Sequence, residues 1–243
     1  RDVLETKEWK SFEKTITEKS TIFQDDVELV FAFFYFASNL PFSHFALTKS
    51  DEDTNETVVT EDKQYLFLEE KDNNTALLTI KSFAGTATEV DSIFSIIMEK
   101  GYKNLIVDLR NNTGGTVEAG MAFTRKLIQS PLTAGFFLTQ NWFNEHKSVP
   151  DENELNQLPI FSEANYELIL QGIHREKGLI LKAKPSASSF NGDLFIITNK
   201  RTASTCEPIV HALKTTNRAT IIGEKTAGAM LSGETFELKS DFS

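Results

Sequence analysis

The stretch KNLIVDLRNNTGGTVEAG, Lys103 to Gly120, decides the fold. An apolar run of strand length passes into a turn of asparagines and glycines, and then into a segment with helical spacing. That layout brings backbone N–H groups to the carboxyl edge of a sheet. Two adjacent glycines, Gly114 and Gly115, let the backbone approach a substrate closely and offer donors to an oxyanion. The plain alternative is a tight strand-helix turn stabilised by its asparagines. The stretch is neither G-x-G-x-x-G nor G-x-x-x-x-G-K-[ST], so nucleotide binding has little support.

The same grammar repeats outward from this point. ATEVDSIFSIIMEKG (87–101) is an amphipathic helix closed by Gly101. VEAGMAFTRKLIQS (117–130) is a helix, AGFFLTQNWF (134–143) a strand, and EANYELILQGIH (163–174) a helix within a stretch, 147–189, that is otherwise hard to read. DLFIIT (193–198) is a strand, STCEPIVHALKTT (204–216) a helix and ATIIG (219–223) a strand. Strands alternating with helices imply an α/β fold with a largely parallel sheet covered on both faces. Upstream, residues 57–83 read as strands that turn at Asp72-Asn73-Asn74. Two helical segments, 5–19 and 25–40, precede Pro41, and the second contains VELVFAFFYFA, an apolar run that suits a buried helix. We therefore expect an N-terminal helical region over 1–47 and an α/β core over 48–243. The last stretch, GETFELKSDFS, reads as a strand without a closing element, so the core is expected to continue past Ser243.

Composition narrows the function classes. Of 243 residues, 40% are hydrophobic and 25% charged, ordinary for a globular protein, and 20 phenylalanines against 4 tyrosines suggest a dry aromatic core. A formal charge of −10 argues against a nucleic-acid partner, which needs clustered Lys and Arg. No apolar run reaches membrane-spanning length, so an integral membrane protein is not expected. The single cysteine, Cys206, excludes an internal disulfide. Four scattered histidines, His44, His146, His174 and His211, show no metal-ligand spacing, and no structural metal is expected. The chain begins at Arg1 with no signal peptide in view, which leaves a removed export signal open.

A second stretch raises the question of chemistry. In NKRTASTCEPIVHALK (199–214), Ser204 stands between a strand and a helix N-terminus, where the dipole and free N–H groups favour developing negative charge. Such a serine is a nucleophile if a base and oxyanion donors lie nearby. It is a helix cap if Ser204 or Thr202 bonds the first turn with help from Glu207 or Thr205. Local chemistry leaves both open.

Three motifs in order, LIVDLRNNTGG (105–115), DLFIITNKRTASTCEPIVHALK (193–214) and ATIIGEKTAG (219–228), resemble those of the tail-specific, or C-terminal processing, serine peptidases. The similarity spans roughly Thr75 to Gly233, with a weaker match at LPFSHFAL (40–47). It implies an α/β spiral related to the Clp protease and crotonase folds, and a peptide or protein substrate cleaved without a cofactor. It also implies Ser204 as nucleophile, with N–H groups of Gly114, Gly115 and Thr205 as oxyanion hole. One branch of the family places a lysine base directly after the T-x-G motif. Here Thr226-Ala227-Gly228 is followed by Ala229, and Lys225 lies on the wrong side. The other branch is similar to the tricorn core protease and the retinoid-binding proteins related to it, and takes a histidine base next to a serine near the N-terminus. Ser43-His44 supplies that pair, and a neutral imidazole suits proton transfer.

The resemblance carries further expectations. The third, acidic partner should lie past Ser243; Glu207 is read as structural, and Glu234 and Asp241 have no support. Too few residues separate Leu47 from Thr75 for a PDZ domain. Asp108 and Arg110 are read as a buried pair that positions the turn. His146, His174 and His211 are read as surface or packing residues, and Cys206 as core. Relatives are often exported to the bacterial cell envelope or periplasm. The rival function is a non-catalytic, apolar-ligand-binding protein on the same fold, which the phenylalanines would also suit.

Overall fold

The computed structural model describes residues 2–41, 45–49, 64–146, 148–162 and 166–230, together with Phe236, Leu238 and Phe242. They fall into two compact units, Arg1–Lys63 with Leu231–Ser243, and Gln64–Met230.

The first unit is built on two helices, α1 (Lys7–Lys19) and α2 (Asp26–Ala37). Each begins at a polar cap: the Thr6 side chain accepts from Trp9 N–H, and that of Asp25 from Glu28 N–H. Phe12, Ala37 and Leu40 form a small core, joined by Trp9, Ile16, Phe33, Phe36 and Phe45. Phe45 lies 5.6 Å, centroid to centroid, from both Trp9 and Phe12 and 5.0 Å from Phe33. The expectation of a buried α2 does not hold: Val27, Phe31, Phe34 and Tyr35 are exposed, and only Ala37 is buried.

The second unit carries β1 (Leu66–Asp72), β2 (Thr75–Ile80), α3 (Ala87–Lys100), β3 (Asn104–Asp108), α4 (Val117–Leu127) and β4 (Leu132–Leu138). There follow α5 (Gln140–Glu145), α6 (Glu152–Leu155), β5 (Ile160–Phe161), α7 (Tyr166–Arg175) and β6 (Gly178–Ala183). The unit ends with β7 (Asp193–Thr198), α8 (Cys206–Thr215) and β8 (Thr220–Gly223). The main sheet has the order β1-β2-β3-β7-β8, parallel throughout except for the β1-β2 hairpin. Asp72 closes that hairpin, its Oδ1 accepting from Asn74 N–H at 2.8 Å. A separate three-stranded sheet has the order β4-β6-β5.

Burial in β2, β3 and β7 mostly alternates, so one face is sealed and the other half-buried, rather than both being covered as expected. The sealed face (Leu78, Ile80, Leu105, Val107, Ile196) meets Val90, Phe94 and Ile97 of α3, Phe123 and Leu127 of α4, and Cys206 and Leu213 of α8 in one core. Phe123 touches both Phe83 and Phe94, at centroid separations of 5.6 and 5.9 Å. AGFFLTQNWF is also strand only in part. The chain leaves β4 at Leu138 and turns into α5, where Trp142 is buried and stacks on His146 at 4.0 Å.

Four parallel strands pointing one way bring four connections to one sheet edge: residues 81–86 after β2, 109–116 after β3, 199–205 after β7 and 224–229 after β8. In parallel α/β sheets this carboxyl edge is where ligand sites form.

Candidate active site

The connection after β3 is fixed from below by Asn112, which is fully buried. Its Nδ2 donates to Ile80 O at 3.0 Å and its Oδ1 accepts from Gly114 N–H at 2.8 Å. Gly114 and Gly115 follow with φ of +103° and +148°. Both need the absence of a side chain. A Cβ on Gly115 would lie 2.0 Å from the Phe83 carbonyl carbon, and one on Gly114 would lie 2.6 Å from Ser204 Cβ and 3.0 Å from Ser204 Oγ. The Gly114 carbonyl accepts from Phe83 N–H at 2.8 Å and Ser82 Oγ at 3.2 Å. Because the peptide is trans, the Gly115 N–H points to the opposite side.

The connection after β7 docks against this turn. Asn199 Nδ2 donates to Asn111 Oδ1 at 3.1 Å, and Asn199 Oδ1 accepts from Asn111 N–H at the same distance. Thr202 is fully buried and donates from Oγ1 to Leu109 O at 2.8 Å; Ala203 N–H donates to Asn112 O at 3.0 Å. Ser204 then adopts φ +55°, a left-handed conformation rare for any residue with a side chain. It is not a helix cap. α8 starts with Thr205 as its N-cap residue and has no side-chain cap bond, and among the described residues the Ser204 hydroxyl has no hydrogen-bond partner. Nor do the N–H groups of Gly115 and Thr205 have one. Gly114 N–H, by contrast, is committed to Asn112.

The strained serine is held by Glu207, a carboxylate only 7% exposed. Its Oε2 accepts from Ser204 N–H at 3.0 Å and Ala229 N–H at 2.8 Å, while Oε1 accepts from Gly228 N–H at 2.6 Å. Ala227 N–H donates to Thr202 O at 2.9 Å, so the T-x-G segment lies along the serine turn. Glu207 is structural, as the sequence suggested, but its partners 21 and 22 residues away carry no sequence signal.

The remaining predicted residues resolve as follows. Ser43 and His44, and likewise Glu234 and Asp241, lie outside the described residues. Arg110 Nη2 meets Asp108 Oδ2 at 2.6 Å, but only the aspartate is buried. Burial pushes the Asp108 pKa up, and the hydrogen bonds and charge of Arg110 outweigh this and hold it below the ordinary value. Cys206 is fully buried, and burial pushes its thiol up to about 12, which makes it inert as a nucleophile. His174 and His211 are exposed, and His146 packs on Trp142. Lys225 is exposed. Among the described residues no group of three or more His, Cys, Asp or Glu is arranged to hold a metal ion.

Comparison with known proteins meets the same edge of the sheet. A profile of peptidase family S41 matches residues 74–243. The carboxyl-terminal-processing protease of Picosynechococcus sp. is 27% identical over 155 residues, which is 64% of this chain and 29% of that protein. That of Synechocystis sp. is 28% identical over 162 residues, 66% of this chain and 30% of its own length. The chain thus spans under a third of these relatives. A lipoprotein from Streptococcus agalactiae shares the fold, with a TM-score of 0.61 at 20% identity over 99% of this chain and 76% of its own. A match that runs from β2 through Ser243 and takes in both site-forming turns makes this chain a member of peptidase family S41.

Proposed function

We propose that this chain is the catalytic core of a serine endopeptidase of the tail-specific type. The observation that carries the reading is Ser204: a left-handed backbone holds its hydroxyl against the Gly114-Gly115 turn, beside two N–H groups that have no partner among the described residues. Ser204 Oγ attacks the peptide carbonyl. His44, next to Ser43, takes the hydroxyl proton and returns it to the leaving amine, giving an acyl-enzyme that water then hydrolyses. The oxyanion is received by the N–H groups of Thr205 and Gly115; Gly114, whose N–H is already bonded to Asn112, contributes closeness rather than a donor. A histidine base is favoured over lysine because Ala229 follows the T-x-G motif and Lys225 precedes it.

The short span from Leu47 to Thr75 leaves no room for a PDZ domain, which supports the PDZ-less, tricorn-like branch. A cell-envelope location, implied by the family, belongs to the same proposal. Among the described residues no helix is long and apolar enough to cross a membrane.

The test is covalent labelling of the full-length protein with a fluorophosphonate, followed by peptide mapping. The label is expected on Ser204, absent in Ser204→Ala, and slowed by about a thousandfold or more in His44→Ala, the scale of losing a triad base. A folded wild type that takes no label and cleaves no peptide would return the chain to the ligand-binding alternative.

A further inference from the structure

Thr205 stands directly after Ser204, and both branches of its side chain are engaged. Oγ1 donates to Gly115 O at 2.8 Å. The methyl sits over Gly120 of α4, where an added Cβ would lie 2.4 Å from Thr205 Cγ2. Gly120 therefore serves as the seat for that methyl, and a β-branched side chain held at both tips has one rotamer open to it.

Resting on the peptidase reading, we infer that Thr205 is the positioning residue of the oxyanion site. Its backbone supplies one donor, and its hydroxyl holds the residue that supplies the other. On the far side, Phe83 N–H and Ser82 Oγ clamp the Gly114 carbonyl, so the Gly114-Gly115-Thr116 backbone is gripped at two successive carbonyls. The grip sets the direction of the Gly115 N–H between them. The methyl fills the seat over Gly120, so a bulkier residue there would push Thr205 out of place, whereas the hydroxyl bond to Gly115 needs no methyl. The hydroxyl is committed to Gly115 and acts through it.

Donors aimed at the transition state change kcat more than substrate binding. In the full-length protein, Thr205→Val keeps the shape and removes the hydroxyl; its kcat is expected to fall about 10- to 100-fold at unchanged KM, less than the loss of a whole donor. Thr205→Ser restores the hydroxyl and is expected to stay within about threefold of wild type, on the same scale. Gly120→Ala, which displaces the methyl, should lower kcat while both Thr205 hydrogen-bonding groups remain. An unchanged kcat in Thr205→Val overturns the inference, as does a Thr205→Ser as slow as the valine variant. A second readout needs no turnover: the Gly115 amide resonance in a 1H–15N spectrum. It should move in Thr205→Val and return in Thr205→Ser. If the wild type neither cleaves peptide nor labels at Ser204, the peptidase reading falls and this resonance alone decides. Displaced and restored, it retains Thr205 as the residue that positions the turn; unmoved in Thr205→Val, it overturns that role too.

Discussion

The turns after β3 and β7 face each other across the sheet edge and reach unusual backbone angles by opposite means. After β3, Gly114 and Gly115 take φ of +103° and +148°, and space forbids a side chain at either. After β7, a serine takes φ +55° although glycine would do so more cheaply. A left-handed non-glycine residue costs about 1–2 kcal/mol and persists only where its surroundings impose it. Here Glu207, Thr202 and Asn112 impose it. Glycine stands where the backbone must come close, and strain is tolerated where the residue carries a hydroxyl.

Breaking the glycine side should do the most damage. Gly115→Ala puts a Cβ against the Phe83 backbone, which cannot give way as a flexible side chain can. A loss of about 3 kcal/mol or more is expected, the upper end for overpacking, read as a fall in the urea midpoint. Removing the brace on the serine side comes next. Glu207→Ala strips the acceptor from three N–H groups and should cost about 2–3 kcal/mol. Hydrogen exchange at Gly228 and Ala229 should rise with it, while β7 stays protected.

Replacing the serine sharpens the contrast in the other direction. Ser204→Gly relieves the left-handed strain and should stabilise the fold by about 0.5–1 kcal/mol while abolishing labelling. A destabilised glycine variant would show that the surroundings impose no strain there. The smallest effect belongs to Asp108. Its native pKa is lowered, so the stability it contributes is present above the ordinary carboxyl range and is lost as pH falls through the native value. Arg110→Met should therefore be less stable than wild type at neutral pH. Urea midpoints of the two proteins should converge once the medium is acid enough to protonate Asp108 in both.

Legibility followed the range of the interactions. β3 and β7 were readable because buried strands carry apolar runs, and α3 because its amphipathic spacing runs up to Gly101, which takes the left-handed turn at its end. α5 was misread because six residues, fewer than two turns, carry no helical period, and its Phe and Trp have strand propensity. α2 was taken as buried from composition, but a two-helix unit offers its partner one face and leaves Phe31 and Tyr35 outside. The separate β4-β6-β5 sheet was invisible because β5 is two residues long and joins β6 through just two residue pairs, Ile160 with Ile180 and Phe161 with Leu181.

By itself the sequence determined the alternating elements, the largely parallel character of the sheet, the two glycines and the serine at the head of a helix. Periodicity, turn chemistry and motif order act within a few residues and survive in one dimension. The tertiary structure decided the rest: that Ser204 is strained rather than capping, that Gly114 N–H is committed to Asn112 while Gly115 N–H meets no partner among the described residues, and that Thr205 reaches back 90 residues to hold Gly115. Those facts depend on hydrogen bonds between chain segments brought together only when the sheet forms, and local patterns carry no record of such partners.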